Sequence, residues 1–154
     1  MTPKSLFIFF AKSEAVTWAL LISALLLREL GDPIPLGVTV AGSIHGAVFL
    51  GYAVTAVLVS INQRFSFAKS ALAVGLAIVP FATIPFEKRL LSSGSLEGSW
   101  RTAGSPDPRD SHWFDRLFRW FIARPLVLIP LLVIAIPGIF VFLLFLGPPT
   151  EWFK

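Results

Sequence analysis

One histidine lies inside an apolar run, Val40-Ala-Gly-Ser-Ile-His-Gly-Ala-Val-Phe-Leu-Gly-Tyr52. An imidazole at membrane depth needs a partner, because an unpaired polar group in hydrocarbon is costly. Imidazole titrates near neutral pH, and buried carboxyls drift toward the same range. A histidine and a carboxyl in one bundle can therefore hand protons on. The carboxyl at hand is Glu14, in the first apolar run, with Thr17 and Trp18 within a turn of it. The plainer role is structural: His45 bonds across to another helix and fixes its register, worth about 1 kcal/mol. A haem held by two histidines would need a second one in the apolar runs, and His112 lies outside them. No metal and no cofactor are expected.

Depth separates these roles. At 1.5 Å per residue, Glu14 lies about 20 Å and His45 about 10 Å deep, measured from the turn that joins the first two spans. Thr17 is nearer the level of His45. Direct contact between Glu14 and His45 requires tilt, a shifted boundary or a bridging water. No other constellation carries chemistry. The chain has no cysteine, which excludes thiolate metal sites, disulfides and thiol nucleophiles. There is no glycine-rich phosphate loop, no Ser/His/Asp set and no pair of acids at catalytic spacing. The expectation is a protein that is not an enzyme.

The elements that must position these residues are membrane helices. The 154 residues are 55% hydrophobic and only 14% charged, where soluble chains carry about a quarter. Four apolar blocks approach or exceed the roughly 18 residues that cross a bilayer. The expected fold is all-α: a polytopic helical membrane protein of four transmembrane helices and a short interfacial amphipathic helix. The spans are Leu6–Leu27, Val38–Ser60, Phe67–Pro85 and Pro125–Leu146. Pro80 is expected to kink the third span, and Pro130 and Pro137 to bend the fourth. The N-terminal run carries Lys12 and Glu14 and no cleavage pattern, so it reads as a retained span. Lys12 can snorkel to the head groups, whereas Glu14 should face other helices.

Three domains are expected: a membrane core over 1–91, a flexible polar linker over 92–109, and an amphipathic stretch with the fourth span over 110–154. Gly42, His45 and Gly46 form a packing seam, because small residues four apart let a second backbone come close. Lys88, Arg89, Trp113, Arg116, Arg119, Trp120 and Trp152 are expected at the lipid interface as snorkelling cations and aromatic anchors. The stretch around Phe114, Leu117, Phe118 and Phe121 either lies in the interface plane or extends the fourth helix. The net charge of +4 suits anionic lipid, and no basic stripe suggests nucleic acid. With four spans, the positive-inside rule puts both termini outside, whereas the first hairpin alone argues the other way, since Lys4 and Lys12 are offset only by Arg28.

The first three spans resemble a family of small bacterial integral membrane proteins, domain of unknown function 3817. Glu14 with Trp18 a turn later, Gly42-Ser-Ile-His-Gly-Ala-Val-Phe49 with Tyr52, and Val79-Pro-Phe-Ala-Thr-Ile-Pro-Phe-Glu-Lys88 carry the resemblance, from about Leu6 to Leu91. It implies a compact three-helix unit in which Glu14, His45 and Glu87 matter together. It implies no activity. The expected role is a non-catalytic accessory or assembly subunit in a bacterial inner (plasma) membrane. The expected partners are the bilayer, a larger integral membrane complex such as a respiratory-chain assembly, and a bound phospholipid. The alternative is a small proton-coupled carrier or channel using Glu14 and His45.

Overall fold

The computed structural model describes residues 1–31 and 36–146. They form two units, Met1–Gly98 and Ser99–Lys154, each considered on its own. The first unit starts with α1, Pro3–Glu29. The Thr2 hydroxyl caps it by accepting the Ser5 N–H at 3.1 Å, and Pro3 occupies the first turn, where no N–H is missed. At 27 residues α1 is about 40 Å long, more than a bilayer core. It pairs with α2, Gly37–Asn62. The buried stripe of α1 is Phe7, Ala11, Glu14 and Thr17. That of α2 includes His45, Tyr52, Ala56 and Val59. Both stripes step by three, four or seven residues, so each is one helix face. They hold Phe7, Tyr52 and Val59 among small and polar groups, while many large aliphatics point outward, as in a bundle whose solvent is lipid.

The third apolar stretch departs from expectation. It is not one kinked span but a helical hairpin that enters and leaves at the same end of the unit. Its ascending arm is α3, Phe67–Gly75, continued by a single 3-10 turn, Leu76–Ile78. Its descending arm is α4, Thr83–Ser92. The contacts fix the direction. At the base, Lys69 Nζ bonds Ser95 Oγ at 2.7 Å and Lys4 Nζ meets Glu97 Oε1 at 2.6 Å. The amide of Gln63, just past the end of α2, donates to the Glu97 carbonyl at 3.1 Å. At the tip, Ala77 faces Trp18 and Thr83 faces Glu14, both well inside α1. The ascending arm rises only about 20 Å by helical rise, short of a bilayer core of about 30 Å.

Pro80 is the cause. The residue before a proline is driven out of the helical region, and Val79 is extended at φ −101°, ψ 120°. Phe81 then takes a positive φ of 64°, which completes the reversal. Pro85 falls in the first turn of α4, where its missing N–H costs nothing. The reversal also moves Lys88 and Arg89 to the end occupied by Lys4 and Lys69. The expected linker over 92–109 is shared between the units, and within it Leu96 is fully buried in the first.

In the second unit, α5 spans Trp113–Ile122 and α6 spans Pro125–Leu146. The helices break at Ala123–Arg124, so α5 is separate and does not extend the fourth span. Helix α6 continues through Pro130 and Pro137. Arg119 is a correction to its expected role. It does not snorkel: its side chain is only 11% exposed, with Nη1 3.0 Å from the Asp110 carboxylate and Nη2 donating to the Asp110 carbonyl at 2.7 Å. Arg101 reaches the same carboxylate at 3.0 Å and Asp115 at 3.2 Å. Asp110 also accepts the backbone and hydroxyl of Ser105 at 2.7 and 2.6 Å. Arg116 is exposed, as are Trp113 and Trp120. Arg124 stacks on the Trp120 ring at 4.5 Å. Trp152 lies outside the described residues.

Candidate functional site

A hairpin tip inside a membrane creates a problem. The last carbonyls of its ascending helix and the first N–H groups of its descending helix have no partners within the helices. In hydrocarbon such backbone is tolerated only where protein covers and satisfies it. The polar residues of α1 and α2 do this. The Tyr52 phenol donates to the Ala73 carbonyl at 2.8 Å, and the Trp18 indole N–H donates to the Ala77 carbonyl at 3.2 Å. The Thr83 hydroxyl, on the first residue of α4, donates to Glu14 Oε2 at 2.8 Å. It also lies 3.3 Å from the Ala11 carbonyl. Glu14 is thus set against a helix start, where the macrodipole favours negative charge. Its Oε1 has no hydrogen-bond partner among the described residues.

The sequence-predicted pair is not assembled. Glu14 and His45 are both buried but turn to different partners. His45 Nδ1 lies 3.1 Å from the Thr17 hydroxyl, which itself donates to the Glu14 backbone carbonyl at 2.9 Å. The imidazole also packs on the Trp18 ring, centroids 4.3 Å apart, and near Phe49 at 6.4 Å. Thr17 therefore stands between the two, at the level the helical rise indicates. His45→Ala should weaken the α1–α2 contact by about 1 kcal/mol for the lost hydrogen bond, plus the ring packing. His45→Asn, which keeps a polar group toward Thr17, should recover part of it. Unfolding in a detergent–SDS titration measures both.

The seam at Gly42 and Gly46 is looser than the spacing suggests. A methyl at Gly42 would meet Leu21 Cδ1 at an ordinary 3.8 Å, and Gly46 is half-buried. The close approach is one turn beyond, where a methyl at Gly51 would collide with the Phe10 ring. Glu87 is buried, whereas Lys88 and Arg89 are exposed. Its carboxyl and that of Glu14 both lie within electrostatic reach of the Tyr52 phenol. Glu87 thus turns inward, away from the interfacial cluster its sequence neighbours suggest. Sequence reasoning missed Tyr52, Thr83 and Gly51 as working positions. A signal for the first was present, since Tyr52 is the sole tyrosine and lies in a span. Among the described residues no three His, Cys, Asp or Glu side chains are placed to hold a metal ion.

Three helices long and apolar enough to cross a membrane, with a shorter apolar helix beside two of them, define a multi-pass helical membrane protein. More narrowly, the chain belongs to the family described as domain of unknown function DUF3817, whose model matches residues 5–92. A Streptomyces coelicolor protein carried under the name of a membrane protein is 38% identical over 91 residues, 58% of this chain and 11% of that protein. The chain thus spans about a tenth of the length of the curated relative it matches. No solved structure matches.

Proposed function

We propose that the protein is a non-catalytic accessory or assembly subunit that docks on a larger integral membrane protein in a bacterial inner membrane. The observation that carries this reading is the relative's length. There the matching stretch is 11% of a much longer chain that bears the name of a membrane protein, which supports reading it as a unit that accompanies a larger membrane protein. The polar geometry agrees. Tyr52, Trp18, Thr83 and Glu14 are engaged in holding the hairpin, and His45 in holding α1 to α2. Among the described residues Glu14 and His45 thus turn to different structural partners, which favours a packing role for them over proton transfer.

The hairpin also reverses the orientation. Lys4, Arg64, Lys69, Lys88 and Arg89 now share one end of the first unit, with Lys12 nearer its middle, and Arg28 is at the other end. The positive-inside rule puts the N-terminal end of α1 in the cytoplasm, opposite to the four-span expectation. Affinity purification of the full chain in mild detergent, with mass spectrometry, tests the subunit role. A larger membrane protein at fixed stoichiometry supports it, and the identity of that protein decides whether a respiratory-chain complex is the host. A stable monomer with nothing bound, active in proton flux when alone in liposomes and silenced by His45→Ala, establishes the carrier instead.

A further inference from the structure

The two arms of the hairpin lean on different helices, α3 on α2 and α4 on α1. Between them a hollow of about 450 Å³ opens. That volume lies in the range of small-molecule sites, about 300–1,000 Å³. Its inner walls include Leu72, Phe86 and Leu90, and its rim carries Lys69, Arg89 and two serines, Ser93 and Ser95. Phe86 and Leu90 are buried. We propose that this wedge binds one anionic phospholipid, with the phosphate and its negative head group at Lys69 and Arg89 and the start of an acyl chain between α3 and α4.

The rim is arranged for an anion. Lys69 is held in place by its 2.7 Å bond to Ser95 and by the Phe65 ring 4.2 Å from its ammonium. Those contacts leave ammonium protons for an acceptor. Ser93 Oγ is 2.7 Å from Ser95 Oγ, which links the rim hydroxyls into a row. Among the described residues neither Lys69 nor Arg89 has a carboxylate partner within 4.0 Å. The acids close by in sequence are engaged elsewhere. Glu97 pairs with Lys4 at 2.6 Å, and Glu87 is buried toward Tyr52 and Lys12. Two cations over apolar walls, at the level where α1 begins, match the head group and acyl chain of a lipid. A soluble phosphate would use the rim alone and leave the walls uncovered.

The test is native mass spectrometry of the full chain released from detergent, titrated with phosphatidylglycerol or phosphatidylcholine. Phosphatidylglycerol should be retained about tenfold over phosphatidylcholine, as expected where a few basic groups meet anionic lipid. The Lys69→Gln/Arg89→Gln double variant, altered only at the rim, should lose that preference. Arg28→Gln, which removes a charge at the opposite end, should keep it. Millimolar inorganic phosphate should leave retention unchanged. Equal retention of the two lipids by the native chain, a double variant that binds like the native chain, or displacement by inorganic phosphate would each overturn the proposal.

Discussion

Replacing Tyr52 and Trp18 together by phenylalanine should release the hairpin from the bundle. Each single change removes one donor to a carbonyl at the end of the ascending arm. An unsatisfied buried acceptor costs about 1–3 kcal/mol, and interhelical bonds in membranes average nearer 0.6 kcal/mol with a maximum of about 1.7. About 1–2 kcal/mol per site is therefore expected, and about 2–4 for the pair, a large share of a total stability of roughly 5–15 kcal/mol. Tyr52→Phe is the cleaner variant, because it keeps the ring that packs on Phe7 at 5.7 Å. Trp18→Phe also changes the ring beside His45. SDS titration followed by circular dichroism measures the losses. A double variant as stable as the native chain would mean that the two donors do not hold the hairpin.

Gly51→Leu should prevent α1 from seating on α2. The Phe10 ring already occupies the space a first carbon would need, and three more carbons must follow. Overpacking typically costs 1–3 kcal/mol and occasionally more. Here the displaced group is an aromatic ring in the main helix pair, so a loss of about 3 kcal/mol is expected. Gly42→Ala is the informative contrast. Its methyl meets only Leu21 at contact distance, and the helix gains up to about 1 kcal/mol on losing a glycine. The same titration should show the first variant strongly weakened and the second unchanged or strengthened. Equal damage at both positions would place the closest approach at the Gly42–Gly46 step instead.

The long helices were legible in the sequence because hydrocarbon thickness sets their length, and α1, α2 and α6 fall within a few residues of expectation. The buried position of Glu14 followed from the cost of a carboxyl in lipid, and the nearness of Thr17 to the level of His45 from helical rise, whereas their contact is seen only in the fold. The hairpin was not legible. Phe67–Pro85 has the length and apolar content of a span, and a proline inside an apolar stretch can kink a helix as readily as end it. What decides between them is whether neighbouring helices supply donors to the broken end. Tyr52 and Trp18 lie 21 and 59 residues from their carbonyl partners, a pairing no local pattern reveals. Arg119 was misread for a similar reason. On a helical wheel it is an outward cation, yet Asp110 and the folded-back stretch before α5 enclose it.

The hairpin requires that the stretch from Phe67 to Ser92 enter and leave the membrane on one side. The chain has no cysteine, so a single introduced thiol reports its own side without background. Ser66→Cys lies at the start of the ascending arm and Ser92→Cys at the end of the descending arm. Leu30→Cys, highly exposed just past α1, marks the opposite face. A membrane-impermeant maleimide, applied to inside-out and right-side-out vesicles, should label Ser66→Cys and Ser92→Cys in the same preparation and Leu30→Cys in the other. Labelling of Ser66→Cys and Ser92→Cys from opposite sides would show a third full span and contradict the hairpin.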